Sequence, residues 1–498
     1  MSPEYAVGID VGSTATKVVL CDSEGAIVAR GSAPTRIERP QPGWAEIDFP
    51  RCWESVQVAL RAALSFLPGE SAPERIFGIG LTSLAPSVAP LTDDGTPLHA
   101  GIIYEDRRSV RQVKRILADA NQSTIVRRTG IRIESGSTTL SSILWFVEER
   151  PALAAACAYF GTLTTYLAHR LTGTFGIDWA NAQLTGLFAL NDPPRWLDDW
   201  CRQIGIPPEK LPPHMPSQAV VGEVLPQAAE QLGVPEGIPV AMGGADAQAA
   251  AVGVGLVTPQ AGVLSLGTTS VLTVCTERSV ADPRFYTRRH VLPGRYLHVA
   301  PTLLGGATLR WAAALLGIES VEELVRLAAT SDPGAGGVIF LPYLMGERAP
   351  LWNRDARGVF YGLQLGTSQA EMARAVVEGI AFALRNVLAQ IETHLGGTVT
   401  PLNVTGGAAF PLVLQTLANV LQRPLTLIEG GDSAAQGAAL LALVAAQKAD
   451  DTWLAEWRPN SQGTCAPDGA VSDCYEQRFQ DFCDLYVALE PNFKVESQ

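Results

Sequence analysis

The sequence predicts a two-domain α/β protein, and three observations carry that expectation. A short pattern occurs twice: residues 7–16 read Val-Gly-Ile-Asp-Val-Gly-Ser-Thr-Ala-Thr, and residues 262–271 read Gly-Val-Leu-Ser-Leu-Gly-Thr-Thr-Ser-Val. Each copy is an apolar strand, a glycine, two hydroxyl residues and a second apolar strand, so Gly12-Ser13-Thr14 aligns with Gly267-Thr268-Thr269. The chain has 498 residues, more than one core usually organises. Around both copies, β-branched runs alternate with segments of helical periodicity, the grammar of mixed α/β folds.

In the first half, residues 5–11 and 16–20 read as paired strands around the turn, with a further strand at 26–32. Trp53, Val56, Leu60, Leu64 and Leu67 fall at helical spacing over 51–67. A buried strand follows at 76–81, ending at Thr82-Ser83, and helices are expected around 110–118, 140–149 and 161–172. In the second half, strands near 262–266 and 270–275 precede helices at 305–316 and 320–329. Residues 369–395 form the clearest helix. Ser368 and Glu371 make a capping box before it, Gly396-Gly397 end it, and Met372, Val376, Ile380, Leu384, Leu388, Ile391 and Leu395 form its apolar stripe. A strand at 402–405, a helix at 411–421 and a strand-turn-helix unit at 425–445 follow. The polar stretch 446–473 reads as a surface excursion, and 475–489 as a final amphipathic helix. The boundary is expected near 240–245, giving domains at 1–243 and 244–498.

Composition narrows the function. Hydrophobic residues make up 47% of the chain and charged residues 17%, as in a globular protein with large buried sheets. The net charge of -13 argues against a nucleic-acid partner, since few cations are spare to neutralise phosphates in series. The eight cysteines are scattered without a Cys-x-x-Cys pair, which points to reduced, buried thiols in a cytoplasmic protein. The N-terminus enters a strand at Tyr5 without the pattern of a secretory leader. Residues 247–276 carry no charge, but Gly253, Gly255, Pro259, Gly262 and Gly267 break them into short pieces. They are expected to form a buried helix-turn-strand, with no membrane partner.

The turns locate the chemistry. A glycine followed by hydroxyl residues at a tight strand-turn-strand offers N–H and O–H donors to an anion. Two such turns suggest similar domains facing across a phosphate. Asp10 precedes the first turn, where the second copy has Ser265. It is read as an acid that holds Mg²⁺ near a nucleotide's terminal phosphates, or as a turn cap. Lys17, on the strand leaving the turn, is within reach of a phosphate. Asp246 sits in Met242-Gly243-Gly244-Ala245-Asp246-Ala247, where a strand ends and an Ala-rich helix begins. A carboxylate there is placed to take a proton from a hydroxyl that attacks phosphorus, or to cap the helix. Gly305-Gly306 and Gly406-Gly407 mark two further strand-to-helix turns where a ribose or flat ring can approach the backbone.

These residues resemble the FGGY carbohydrate kinases of the sugar kinase, heat-shock chaperone and actin superfamily. The resemblance runs from Tyr5 to about Ala446. Its most specific element is Gly358-Val-Phe-Tyr-Gly362-Leu363, followed by Glu371-Met372 and Ala375-Val-Val-Glu378. Residues 8–14, 102–108, 264–269 and 341–350 also look like family motifs. The resemblance implies two RNase H-like, actin-like ATPase domains facing across a cleft. It implies ATP-dependent phosphorylation of a sugar or polyol hydroxyl, xylulokinase-like, with Mg²⁺ as cofactor and a homodimer as the expected assembly. Asp246 is similar to the family's general base and Asp10 to the acid near Mg²⁺. Gly12, Ser13, Thr14, Lys17, Gly267 and Thr268 resemble phosphate contacts, while Gly306, Arg310, Gly406, Gly407 and Pro411 fall where the family meets the nucleotide. Ser83, Leu84, Ala85, Tyr104, Asp246 and Ala247 fall at substrate positions.

The acceptor side departs from the family pattern. Leu84-Ala85-Pro86 stands where glycerol- and xylulose-binding members carry polar runs, and Ala247 stands where Asn or Gln is common. Tyr104 replaces a tryptophan, Ser142 a lysine, and Ala409-Phe410-Pro411 a more polar run. The expected donors then come from Ser83, Glu105, Asp106, Arg107 or Gln248, with Asp106 and Arg107 read as an internal ion pair. Two alternatives share the doubled turns: a nucleotide-switched binding protein of the actin or chaperone type, and a degenerate kinase-like regulator.

Overall fold

A computed structural model describes residues 4–67 and 73–493. The chain divides into two compact units. Unit 1 takes Met1–Thr258, Glu277–Leu297 and Asp432–Arg458; unit 2 takes Pro259–Thr276, His298–Gly431 and Pro459–Gln498. The boundary expected at 243/244 falls inside unit 1. Asp246 and its helix stay with the strand that precedes them, because that strand lies inside the first sheet.

Unit 1 is built on a six-stranded sheet. Its strands are β1 (Tyr5–Val11), β2 (Ala15–Cys21), β3 (Ile27–Pro34), β4 (Ile76–Ser83), β5 (Val220–Glu223) and β6 (Pro239–Ala245). The spatial order is β5-β6-β4-β1-β2-β3. β1 runs antiparallel to β2 and parallel to β4, which runs parallel to β6. Alternation along β1 feeds two cores. Tyr5, Val7, Ile9 and Val11 join Trp53, Val56 and Leu60 of helix Phe49–Leu64 on one side. Ala6 joins Ala435, Ala439 and Leu443 of helix Ser433–Ala445 on the other. This is the two-residue period of a strand buried on both faces.

Helix Ser433–Ala445 lies unusually close to the sheet. Gly8 and Gly80 are cross-strand partners on β1 and β4. A Cβ on Gly8 would stand 1.8 Å from the Ala435 carbonyl oxygen, and one on Gly80 would stand 1.9 Å from that of Ala438. The glycines thus make a smooth patch on which an alanine-rich helix rests.

Unit 2 repeats the core pattern with β7 (Gly262–Leu266), β8 (Ser270–Thr276), β9 (Leu402–Thr405), β10 (Leu425–Ile428) and β11 (Ser461–Cys465). They lie in the order β8-β7-β9-β10-β11. β7 pairs antiparallel with β8 and parallel with β9, as β1 does with β2 and β4. The stretch 446–473 is more ordered than expected, since β11 pairs antiparallel with β10. Helix Gln369–Leu395 has the expected capping box, with Ser368 N–H donating to Glu371 Oε2 at 2.7 Å, and ends at Gly396 with φ 68°. Val376, Ile380, Leu384, Leu388, Ile391 and Leu395 are buried as predicted, while Met372 is half-buried. Arg374 and Glu378 of this helix pair at 2.8 Å, and both bond the buried Tyr475 hydroxyl, which ties the C-terminal helix Ser472–Leu489 down. Among the described residues, no helix is long and apolar enough to cross a membrane. The uncharged 247–276 run divides into the helix Asp246–Gly253, β7 and β8.

Candidate active site

The doubled turn is not an exact duplicate. Val11 pairs with Thr16 across the first turn, leaving four residues between, whereas Leu266 pairs with Ser270 across the second, leaving three. Gly12 N–H accordingly bonds the Ala15 carbonyl at 3.0 Å, and Gly267 N–H that of Thr269 at 3.1 Å. The longer turn sets Asp10 opposite Lys17 in the β1–β2 register. In the second copy Ser265 faces Val271, so the acid-base pair belongs to the first turn alone.

In unit 1, a cavity of about 420 Å³ is lined by Asp10, Gly12, Ser13, Thr14, Ala15, Lys17, Leu84, Ala85, Tyr104 and Asp246. β1 delivers Asp10, β4 runs into Leu84-Ala85, and β6 delivers Asp246, so parallel neighbours place all three at one end of the sheet. Asp246 is the first residue of its helix and Ala245 is the cap, so the helix-cap alternative for Asp246 is not realised. Its carboxylate accepts the N–H of Ala247 at 2.7 Å, and the nearby N–H of Ala85 favours its charged form. Burial pushes its pKa up to about 6, against these N–H groups and the Arg288 guanidinium. Asp10 is pushed up to about 7 by burial and by the charge of Asp246, with Lys17 opposing. Its Oδ1 is buried and accepts no hydrogen bond, so that oxygen does not cap the turn. One unpartnered carboxylate oxygen beside an open hydroxyl-bearing turn suits Mg²⁺, which keeps most of its waters and takes few protein ligands.

Sequence reasoning missed Asp432. It lies 3.4 Å from Lys17 Nζ and 2.9 Å from Arg30 Nε, and so holds Lys17 beside the cavity. The Gly430-Gly431-Asp432 turn before a helix was the available signal. Ser83 is buried and its hydroxyl is engaged with that of Thr164 at 2.8 Å, so it does not face the cavity. Ala247 is exposed and contributes its N–H to Asp246. Tyr104, 37% exposed, lines the cavity together with Ser13. The expected Asp106–Arg107 pair is corrected: Asp106 pairs with buried Arg108 at 2.8 Å, while Arg107 Nη1 donates to the carbonyls of Tyr104, Asp106 and Ser135.

In unit 2, the N–H groups of Gly306 and Ala307 are spent on the carbonyls of Gly267 and Thr268, at 2.8 and 2.9 Å. Gly306 is buried there, and a Cβ would stand 2.9 Å from Gly267 O. Gly305-Gly306 is thus first a packing device that docks a helix start against the turn. Gly267, Thr268, Gly406, Gly407 and Arg310 are exposed, and Pro411 opens helix Pro411–Leu421. Gly406 has φ 111° and a Cβ there would meet Leu266 O at 2.3 Å, whereas one at Gly407 would meet nothing within 4 Å.

The model of the N-terminal domain of the FGGY family of carbohydrate kinases matches residues 5–253, and that of its C-terminal domain matches 262–446. The chain belongs to the FGGY family of carbohydrate kinases. It is 31% identical to the xylulose kinase of Escherichia coli, over 97% of this chain and 99% of the relative. It is 28% identical to the gluconokinase of Bacillus subtilis, over 90% and 88%. The crystal structure of xylulose kinase from Rhodospirillum rubrum superposes with a TM-score of 0.89 at 29% identity, covering 98% of this chain and 100% of that one. As an FGGY kinase with the two-domain actin-like ATPase fold, the protein phosphorylates a sugar or polyol hydroxyl with ATP. The two non-kinase alternatives fall away.

Proposed function

We propose that Asp246 is the general base of this phosphoryl transfer. The observation that carries the reading is its carboxylate, held by the Ala247 N–H in the lining of the cavity it shares with Asp10 and the first turn. A carboxylate with a pKa near 6 is ionised at neutral pH and still basic enough to accept a proton. The acceptor O–H gives its proton to Asp246 as its oxygen bonds to the γ-phosphorus of ATP. The bond from that phosphorus to the bridging oxygen breaks, and its electron pair leaves with ADP.

Ser13 and Thr14 offer hydroxyls, and Lys17 a cation, to the transferred phosphoryl group. Asp10 would hold Mg²⁺, which supplies charge neutralisation for the phosphates when bound. In unit 2, Thr268 and the exposed Gly406-Gly407 backbone contact the nucleotide, with Arg310 and Pro411 nearby. Leu84, Ala85 and Tyr104 bound the acceptor. The acceptor is an open-chain sugar or polyol of the size of the xylulose, gluconate and glycerol that name the relatives. Reliance on ATP supports a cytoplasmic location.

A coupled ADP-release assay across polyols, ketopentoses and aldonates tests this reading. Asp246→Asn is expected to lower acceptor-stimulated turnover by about 10²–10⁴-fold, the usual worth of a general base, while nucleotide affinity stays nearly intact. A variant that keeps most of its turnover refutes the assignment. A homodimer is part of the same proposal. Leu365, Leu363, Tyr361 and Met345 are large, exposed apolar side chains of unit 2, more than isolated surface residues require. Sedimentation should give a dimer for the native chain and a monomer for Leu363→Glu/Leu365→Glu; a monomeric native chain refutes it.

A further inference from the structure

Beside Asp246 stands a cation that the transfer just described does not use. Arg288 lies on the short strand Tyr286–Arg289 of unit 1. Successive strand residues leave on opposite faces, and here the two faces differ sharply. Arg289 is saturated: its guanidinium donates to the Ala189 carbonyl at 3.1 Å, to Asp192 Oδ1 at 3.0 Å and to the Asn191 carbonyl at 2.9 Å. Arg288 goes the other way. Its guanidinium carbon stands 5.0 Å from the ring centre of Tyr286, two residues back on the same face. Its Nη1 is buried and has no hydrogen-bond partner. Arg288 and Asp246 also lie close enough for each to feel the other's charge.

A buried guanidinium N–H with no acceptor is costly unless a ligand supplies one. Arg288 is not among the residues that line the phosphate-side cavity. Leu84 and Ala85 have no side-chain donor, whereas Gln248 Nε2 is, like Arg288 Nη1, buried without a partner; of these two open donors Arg288 carries the charge. We propose that Arg288 is a specificity-determining residue that pairs with a carboxylate on the acceptor, so that the substrate is a sugar acid rather than a neutral sugar or polyol. The proposal rests on Asp246 marking the reacting hydroxyl. Guanidinium and carboxylate match in charge and in planar two-point geometry. A phosphorylated acceptor fits less well, because one guanidinium matches one carboxylate and would leave a phosphate's second charge beside Asp246 unbalanced.

The test compares D-gluconate with D-glucitol, its neutral counterpart, and with D-xylulose, in the native enzyme and in Arg288→Leu and Arg288→Lys. The native enzyme is expected to favour D-gluconate. Arg288→Leu should lose about 30-fold or more in kcat/KM for D-gluconate, the scale set by truncating one partner of a buried charge pair. At pH 8, above the Asp246 pKa of about 6, its rate with the neutral acceptors should fall at least about tenfold less than its rate with D-gluconate. Arg288→Lys should recover part of the loss. A native enzyme that prefers D-glucitol or D-xylulose overturns the proposal even if Arg288→Leu fails to fold, and so does an equal loss on all three acceptors. Loss of every acceptor-dependent rate in Asp246→Asn, with any preference, leaves the base assignment standing. An Asp246→Asn variant that stays active overturns that assignment first.

Discussion

At Asp246, burial and hydrogen bonding pull in opposite directions, and burial wins. The sign of the consequence follows. The folded pKa of about 6 lies above the ordinary 3.8, so folding disfavours the charged form. This residue's contribution to stability is therefore best below about pH 4 and is lost as pH rises through 6. Asp246→Asn, besides losing turnover, should be more stable than the native chain at pH 8 by about 1–3 kcal/mol. The gap should close as pH falls towards 4 in paired thermal melts; a gap that widens towards acid contradicts the burial. Asp10 and Lys17 were legible in the sequence because they are local, seven residues apart on paired strands with the turn between. Asp432 and Arg288 were not. Asp432 is hundreds of residues from Lys17 and Arg30, Arg288 is tens of residues from Asp246, and only the fold brings each into reach. The Asp106–Arg107 expectation failed for a related reason: Arg107 and Arg108 follow the acid one and two residues on, and only the fold shows which is buried with it.

At the scale of elements, glycines do two different jobs that the sequence does not distinguish. Gly8 and Gly80 let a helix backbone touch the sheet, and Gly406-Gly407 leave a turn open. Gly80→Ala should destabilise the fold by about 3 kcal/mol or more, because its Cβ would stand 1.9 Å from a backbone oxygen. Gly407→Ala has nothing to meet and should fold normally, with its effect confined to a raised KM for ATP. Urea denaturation of both variants, with initial rates for the second, checks this; equal destabilisation contradicts the division of roles. The strands and long helices were legible because their periodicities are strong, as in the capped 369–395 helix. The missing residue in the second turn was not, since both turns read alike until the strand register is known.

At the scale of the molecule, the two sheets were visible as a doubled pattern, but the division between units was not. Sequence reading cuts a chain once, whereas unit 1 is assembled from three stretches. That discontinuity matters while the chain is being made. β1 and β4 emerge within the first 83 residues, but the helix that covers one of their faces ends at Ala445. At about 5–20 residues per second, that face stays bare for roughly 20–70 seconds of synthesis. A chain stopped after residue 431 should therefore aggregate when expressed, and a soluble, monomeric product would refute this. The sheet's second face is closed only when the stretch from Asp432 to Arg458 has been made.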